Sequence, residues 1–362
     1  MSDSRVTVLV TGVGGGGLGH EVVKALRLAG RYRLIGVDVS PTSFGLFDVD
    51  EAYTVPPASH SEYVDLVLDL CERRGARVII HGSDPELKAL SPHRERFSVK
   101  SVIPLFNSPE VIATGMDKSA TMNFLDAHGF SRPKSLMIET TDAVPSAFGL
   151  PAIVKPATGG GGSSDTFIVQ EYDELVFVCN YLLRQGRSVL LQEYVGTPED
   201  EYTVGVLHTL DGAFVGSIAL RRSILAGLSN RIKAPNRTTR SDLGPILAVS
   251  SGISQGVIDD FPLVRQQCEA VAAAIGSRGP MNIQCRVANG IVYPFEINPR
   301  FSGTTHLRAL AGYNEPDLLI RHHVFGEELP LPTQYVTGAI VRGLAERRAV
   351  DLAPVQAWRL RS

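Results

Sequence analysis

Tyr293-Pro294-Phe295-Glu296-Ile297-Asn298-Pro299-Arg300 is the stretch on which the reading of this chain turns. Alternate side chains of an extended segment face opposite ways, so Glu296 and Asn298 share a face, Arg300 follows just beyond, and Ile297 turns to the other side. Close by, Asn282-Ile283-Gln284-Cys285-Arg286 alternates in the same manner and reads as a neighbouring strand, with Gln284 on one face and Cys285 on the other. Three oxygen-bearing side chains and a guanidinium converge. Mg²⁺ takes hard oxygen ligands, usually one or two carboxylates together with phosphate oxygens, and one Glu with amide helpers suits it. Taken alone, Glu296 and Asn298 also fit an edge strand that ends in a turn at Asn298-Pro299.

Working upstream, Ala152-Ile153-Val154-Lys155-Pro156 is a strand ending in a lysine, followed by a loop that contains Gly159 to Gly162 and then Ser163-Ser164. A lysine fixed beside backbone N–H donors can grip a polyphosphate and exclude water, although the same pattern fits a surface hairpin with a solvated lysine. Val189-Leu190-Leu191-Gln192-Glu193-Tyr194-Val195 is an apolar strand running toward Glu201. Its edge offers peptide groups to an adenine, and an acid just beyond it can accept ribose hydroxyls.

The order Asp117-Lys118, Lys155 with its glycine loop, Gln192 to Val195 with Glu201, Gln284, and Glu296-Ile297-Asn298-Pro299-Arg300 resembles the ATP-grasp superfamily. The likeness is to a single synthetase module of the carbamoyl phosphate synthase large subunit, and it extends from the first strand to about Glu327. The resemblance implies that Lys118 and Lys155 bind ATP phosphates, with Gly160, Gly161, Gly162 and Ser163 as a lid. It implies main-chain contacts to adenine from Glu193 and Val195, and a ribose contact from Glu201. Gln284 and Glu296 would hold one Mg²⁺, Glu296 and Asn298 a second, with Mn²⁺ as a substitute. Arg300, with Lys155, would stabilise the phosphoryl group in transfer. Arg221, Arg222 and Lys233 match only a general basic character and fit either an acidic substrate or a solvated surface.

The first part of the chain reads differently. Val6 to Val10 is a buried strand, Leu18 to Ala29 a helix stopped by Gly30, and Arg33 to Asp38 a second strand, which together make a βαβ unit and imply a parallel sheet with helices on both faces. Gly12-Val13-Gly14-Gly15-Gly16-Gly17, with Asp38 at the second strand's end, fits a dinucleotide turn, yet any doubly wound domain benefits from such a junction. From Ala152 onward, strand-like runs separated by turn signals dominate, which predicts mainly antiparallel sheets. The expected fold is therefore an α/β doubly wound, Rossmann-like domain followed by α+β ATP-grasp domains. Its expected limits are 1–113, 114–330 with a nucleotide lid at about 130–196, and a C-terminal strand and loosely held tail at 331–362.

Composition narrows the function. Among 362 residues the net charge is −3, so there is no basic excess to attract a nucleic acid backbone. No run approaches the roughly 18–20 apolar residues of a membrane span, and the first residues lack a signal-peptide pattern, which predicts a cytoplasmic protein without membrane partners. The cysteines, Cys71, Cys179, Cys268 and Cys285, have no metal-ligand spacing and read as core residues. The expected activity is an ADP-forming ligase that joins a small-molecule carboxylate to an amine through an acyl phosphate, in a chain that the family allows as a homodimer. The alternatives are a bicarbonate-activating enzyme of the carbamoyl phosphate synthase or carboxylase kind, and a dinucleotide-dependent oxidoreductase.

Overall fold

The computed structural model describes residues 5–14, 17–158, 165–331 and 333–360. The first sheet is built from β1 (Val6–Val10), β2 (Tyr32–Asp38), β3 (Glu51–Thr54), β4 (Ala76–Ile80) and β5 (Ile103–Pro104), all paired in parallel in the order β3-β2-β1-β4-β5. Val8, Leu9 and Val10 are fully buried, as the unbroken apolar run of a strand covered on both faces requires. The helices α1 (Leu18–Ala29), α2 (Tyr63–Arg74), α3 (Asp84–Leu90) and α4 (Arg94–Val99) connect these strands. Gly30 ends α1 in the left-handed conformation, φ 72°, and donates its N–H to Leu26 and Arg27 carbonyls.

Among the described residues after β1, Gly12 and Gly19 are closely packed by the protein itself. Gly12 has φ 56°, and a Cβ there would lie 2.3 Å from Glu86 Oε2; one at Gly19 would lie 2.3 Å from the Gly12 carbonyl. Asp38 Oδ2 accepts from the Gly14 N–H at 2.7 Å while Oδ1 accepts from Ser43 Oγ at 2.7 Å. The glycines thus serve close backbone packing, and the acid that a dinucleotide ribose would need is spent on closing the turn. Ser83 caps α3 by accepting from the Glu86 N–H, but the Glu86 carboxylate turns inward to Gly82 N, Ser83 Oγ and Tyr63 Oη.

After α5 (Pro109–Met116) and α6 (Lys118–Ala127), a four-stranded sheet forms from β6 (Ser135–Ile138), β7 (Ala152–Pro156), β8 (Phe167–Val169) and β9 (Val189–Glu193), backed by α7 (Tyr172–Leu183). Its order is β6-β9-β7-β8, with every pairing antiparallel. The largest sheet then uses β10 (Glu201–His208), β11 (Phe214–Arg222), β14 (Gly256–Asp259), β15 (Pro280–Ala288), β16 (Ile291–Asn298) and β17 (Gly338–Ile340) in the antiparallel order β16-β15-β10-β11-β14-β17. A separate pair, β12 (Asn230–Pro235) with β13 (Ile246–Ser250), lies between β11 and β14 in sequence, and α8 (Pro262–Ala274), α9 (Thr305–Leu310) and α10 (Glu315–Phe325) complete the fold.

One hydrophobic cluster runs from the first sheet into the largest one, joining Val8, Val10 and Leu26 to Leu207, Ile218, Phe301 and Tyr313. The faces of β10, β15 and β16 that carry Val204, Ile283, Cys285 and Ile297 pack on Leu125 of α6 and on Val264, Cys268 and Val271 of α8. All four cysteines are free and buried, as the sequence suggests. The opposite face of the same strands is polar and carries the site.

The tail differs from expectation. Arg342 donates to Glu21 Oε2 at 2.7 Å and to the Gly303 carbonyl at 2.9 Å, and the chain then returns to the first sheet, where β18 (Gln356–Ala357) pairs in parallel with β3. Trp358 holds that end: its indole N–H donates to Asp69 Oδ2 at 2.8 Å, its ring meets Tyr53 edge-on, and Arg73 lies 4.3 Å over it. A single aromatic with a polar handle anchors what otherwise reads as a polar strap.

Candidate functional site

Strand register assembles the site. Across β10, β15 and β16, Thr203 faces Gln284, which faces Glu296, and Gly205 faces Asn282, which faces Asn298. Glu201 faces Arg286 on one side, and the register of β11 brings Arg222 beside it on the other. Glu201 and Thr203, Asn282, Gln284 and Arg286, and Glu296 and Asn298 therefore share one side of the sheet, with a register shift on β16 between Glu296 and Pro294. Asn107 fixes the turn that follows β16: its Nδ2 donates to the Pro280 and Pro299 carbonyls at 2.7 and 3.2 Å.

Two cavities share this polar wall. The first lies between the four-stranded sheet and the largest sheet, and is lined by Lys118, Lys155, Ile153, Glu193, Val195 and Phe295 among others. The second lies between the largest sheet and α3 of the first sheet's layer, with Asp84, Arg222, Arg300 and the loops around Ser251 and Ser302 on its walls. Gln284 and Glu296 line both. Ser302, Gly303 and Thr304 meet Asp84 there, whereas Gly14 is not on the lining and Gly15 and Gly16 lie outside the described residues.

Lys155 sits at the junction of the first cavity with the metal-ligand candidates. Its Nζ donates to Gln192 Oε1 at 2.9 Å, and Gln192 Nε2 in turn reaches Ser135 Oγ at 3.1 Å and Met122 Sδ at 3.3 Å. Burial pushes the Lys155 ammonium down to about 8, against the pull of nearby Glu296. Lys118 begins α6, which Asp117 caps by accepting from the Ala120 N–H at 2.8 Å. Gly160, Gly161, Gly162 and Ser163 lie outside the described residues.

The strand edge proposed for adenine is partly committed within the protein. The Glu193 N–H donates to the Lys134 carbonyl at 2.8 Å, and the Val195 carbonyl accepts from Arg286 Nη1 at 3.3 Å. Glu201 is 2 % exposed, and its carboxylate holds Arg222 Nη1 at 3.0 Å on one oxygen and Arg286 Nε at 2.9 Å on the other. Arg286 also lies 4.5 Å over the Tyr194 ring and donates to the Ala248 carbonyl at 2.7 Å.

At the shared wall, Gln284 Nε2 donates to Glu296 Oε2 at 3.0 Å and Gln284 Oε1 accepts from Arg222 Nη1 at 2.9 Å. Asn298 Oδ1 accepts from Arg300 Nη2 at 3.0 Å. Arg300 Nε donates to Asp84 Oδ1 at 2.6 Å. Burial opposes both charges, but each outweighs it for the other: the guanidinium holds the Asp84 carboxyl below its usual range, and Asp84 keeps Arg300 raised. Arg308, fully buried beneath the cavity, pairs with Glu315 at 3.2 Å and donates to Asn282 Oδ1 at 2.5 Å, so it supports the wall from behind.

The sequence reading brings Lys118, Lys155, Glu193, Val195, Glu201, Gln284 and Glu296 to one cavity, and Asn298 and Arg300 to the adjoining one. It misses Arg286 and leaves Arg222 open. Arg286 lies two residues from Gln284 on the same strand face, a signal that was visible. The ambiguous basic group divides sharply: Arg222 is buried at the shared wall, while Arg221 and Lys233 are exposed, Arg221 lying 5.6 Å over the Phe261 ring.

Comparison with known proteins agrees with this architecture. Residues 8–105 match the family model for a PylC-like N-terminal domain, and residues 249–345 match one for the ATP-grasp in the biosynthetic pathway with Ter operon. The carbamoyl phosphate synthase large chain of Renibacterium salmoninarum is 25 % identical over 287 residues, 77 % of this chain and 24 % of that protein. The chain thus spans about a quarter of the length of this curated relative. The D-alanine–D-alanine ligase of Chromohalobacter salexigens is 28 % identical over 236 residues, 63 % of this chain and 68 % of the relative. In structure, N5-carboxyaminoimidazole synthetase from Staphylococcus aureus, complexed with ADP, superimposes with a TM-score of 0.65 at 14 % identity, covering 94 % of this chain and 82 % of that one. No helix among the described residues is long and apolar enough to cross a membrane. A parallel doubly wound sheet, a four-stranded sheet and a polar-faced antiparallel sheet, together with these matches, give the chain a PylC-like N-terminal domain over residues 8–105 and an ATP-grasp region over residues 249–345.

Proposed function

We propose that the chain is an ATP-dependent, ADP-forming carboxylate–amine ligase that works through an acyl phosphate. The observation that carries this reading is the pair of cavities with a common wall at Gln284 and Glu296. Phosphoryl transfer needs a nucleotide on one side of a charge-neutralising cluster and an acceptor in line on the other. The first cavity has an apolar floor of Ile153 and Phe295 for a base and two lysines for phosphates. The second is bordered by hydroxyls, amides and two guanidiniums, which suits a small polar carboxylate.

The donor set fits a hard divalent cation at Glu296 and Asn298, whose carboxylate and amide oxygens face the shared wall. Bound there with the phosphates, Mg²⁺ supplies neutralisation of the crowded oxygens. The resemblance by itself implies a further Mg²⁺ between Gln284 and Glu296, with Mn²⁺ as a substitute.

The chain's own residues do the rest. Lys155 and Lys118 hold the phosphates, and Lys155 gains its full charge when a polyanion replaces the apolar surroundings that now depress it. A carboxylate oxygen of the acceptor attacks the terminal phosphorus, the bond to ADP breaks, and an acyl phosphate remains in the second cavity. Arg300, held in place by Asp84, Asn298 and the Phe301 carbonyl, faces the transferring group and stabilises its negative charge. The amine nitrogen then bonds to the acyl carbon, the carbon–oxygen bond to phosphate breaks, and inorganic phosphate and a proton leave. No side-chain nucleophile is required. A homodimer and a cytoplasmic location complete the proposal.

A bicarbonate-activating enzyme would use the same residues and produce carboxyphosphate instead. ADP release measured over a panel of carboxylates with amines tests the proposal. Release that requires both substrates and ignores added bicarbonate supports it, and release that depends on bicarbonate alone overturns it.

A further inference from the structure

Three oxygens converge on one nitrogen at the wall between the cavities. Glu201 Oε1 lies 3.0 Å, Ser250 Oγ 2.7 Å and Gln284 Oε1 2.9 Å from Arg222 Nη1, while Nη2 donates to the Ser251 carbonyl at 2.6 Å. Arg222 is 4 % exposed. A carboxylate, a hydroxyl and an amide oxygen gathered round one point are the donor set of a hard cation, and here a guanidinium that cannot lose its proton fills the point. Resting on the nucleotide and metal reading above, we propose that Arg222 is a built-in cation that takes the place of the metal ion otherwise expected at Gln284, so that the chain binds one divalent ion with its nucleotide and not two.

The orientation of Gln284 carries the inference further. Its amide has a donor and an acceptor end, and their assignment follows from the partners on each side. Arg222 presents only donors and the Glu296 carboxylate only acceptors, so Oε1 faces Arg222 and Nε2 faces Glu296. A metal bridging Gln284 and Glu296 needs Oε1 on the Glu296 side. Turning the amide over would set Nε2 against the guanidinium donors, and an ion placed at the present position of Oε1 would sit beside a positive charge in a buried setting. Arg222 thereby makes Gln284 a positioning residue for the Glu296 carboxylate.

Asn298 is not blocked in the same way. The guanidinium that touches its oxygen, Arg300, is paired with Asp84 at 2.6 Å, whereas the Glu201 carboxylate facing Arg222 is shared with Arg286. Arg222 thus sits near both the Glu201 and Glu296 carboxylates on the acceptor side of the wall, where the charge of a metal would otherwise lie. Gln284 and Glu296 separate it from the lysines of the nucleotide cavity, placing cations on both sides of the wall.

The test counts ions. Mn²⁺ is titrated into the full chain saturated with a non-hydrolysable ATP analogue, and bound Mn²⁺ is read by electron paramagnetic resonance. One ion per chain with the spectrum of an isolated Mn²⁺ is expected for the unaltered protein, and two ions per chain after Arg222→Asn, which opens the three-oxygen site. Two spin-coupled ions in the unaltered protein, or a folded Arg222→Asn variant that still binds one, overturn the inference. If that variant does not fold, the count on the unaltered protein decides by itself. No bound Mn²⁺ beyond that held by free nucleotide would instead defeat the nucleotide and metal reading on which the inference rests.

Discussion

Lys155 gives the sharpest quantitative handle on the site. Burial lowers its ammonium from the ordinary 10.5 to about 8, a difference equivalent to about 3 kcal/mol. The unfolded chain therefore holds the proton more tightly than the folded one. The resulting destabilisation is fully present below pH 8 and fades as pH rises from there toward 10.5. A bound triphosphate reverses the balance by favouring the ammonium. At pH 8 about half of the free protein lacks that proton, so nucleotide binding should take up about 0.5 proton per chain, rising toward about 0.9 at pH 9 and vanishing near pH 6.5. Titration calorimetry with Mg²⁺ and ADP in buffers of different ionisation enthalpy measures this uptake. Lys155→Met should abolish it, weaken nucleotide binding, and raise the stability of the nucleotide-free chain at pH 7 but not at pH 10.5. An uptake at pH 8 that is absent, or that survives Lys155→Met, would refute the placement of this lysine against the phosphates.

Three further substitutions probe the wall and its supports. Glu296→Gln keeps the shape but removes the carboxylate that both cavities share, and should lower ADP release on the order of 10²–10³-fold in a protein with an unchanged circular dichroism spectrum. Arg286→Met strips Glu201 of one of its two buried partners but leaves Arg222, and should cost about 1–3 kcal/mol in a urea denaturation series. Asp84→Asn releases Arg300 across the junction between α3 and the largest sheet. Because the Asp84 side chain is 33 % exposed, the stability cost should be only about 1 kcal/mol, while kcat falls with the KM for ATP unchanged, since Arg300 is no longer held at the transferring group.

Much of this site follows from alternation along single strands. The pairs Glu296/Asn298 and Asn282/Gln284 declare their common face in the sequence, and the strand-ending lysine at 155 declares its neighbourhood to a glycine loop. What a single sequence does not give is register. Glu201 reads as an acid for a ribose; that it is also the buried counterion of Arg222 and Arg286 is visible only once β10 is set between β11 and β15. The basic character around Arg221 and Arg222 was legible, but which arginine turns inward depends on the pairing of β11 with β10 and with β14. The familiar glycine motif after β1 is legible as a turn and misleading as a ligand site, because Glu86, far along the chain, fills the space beside Gly12. The tail offered too little apolar pattern to predict its return to β3, since the anchor is one tryptophan placed between Tyr53, Arg73 and Asp69.

The central claim is that a carboxylate oxygen attacks the terminal phosphorus of ATP and later departs with the phosphate. Once the carboxylate and amine pair that turns over is identified, the carboxylate can be supplied with ¹⁸O in both oxygens and the inorganic phosphate recovered for mass spectrometry. The account predicts one ¹⁸O atom in each phosphate released, in step with amide formation. Phosphate that carries no label while ADP and amide accumulate would contradict it.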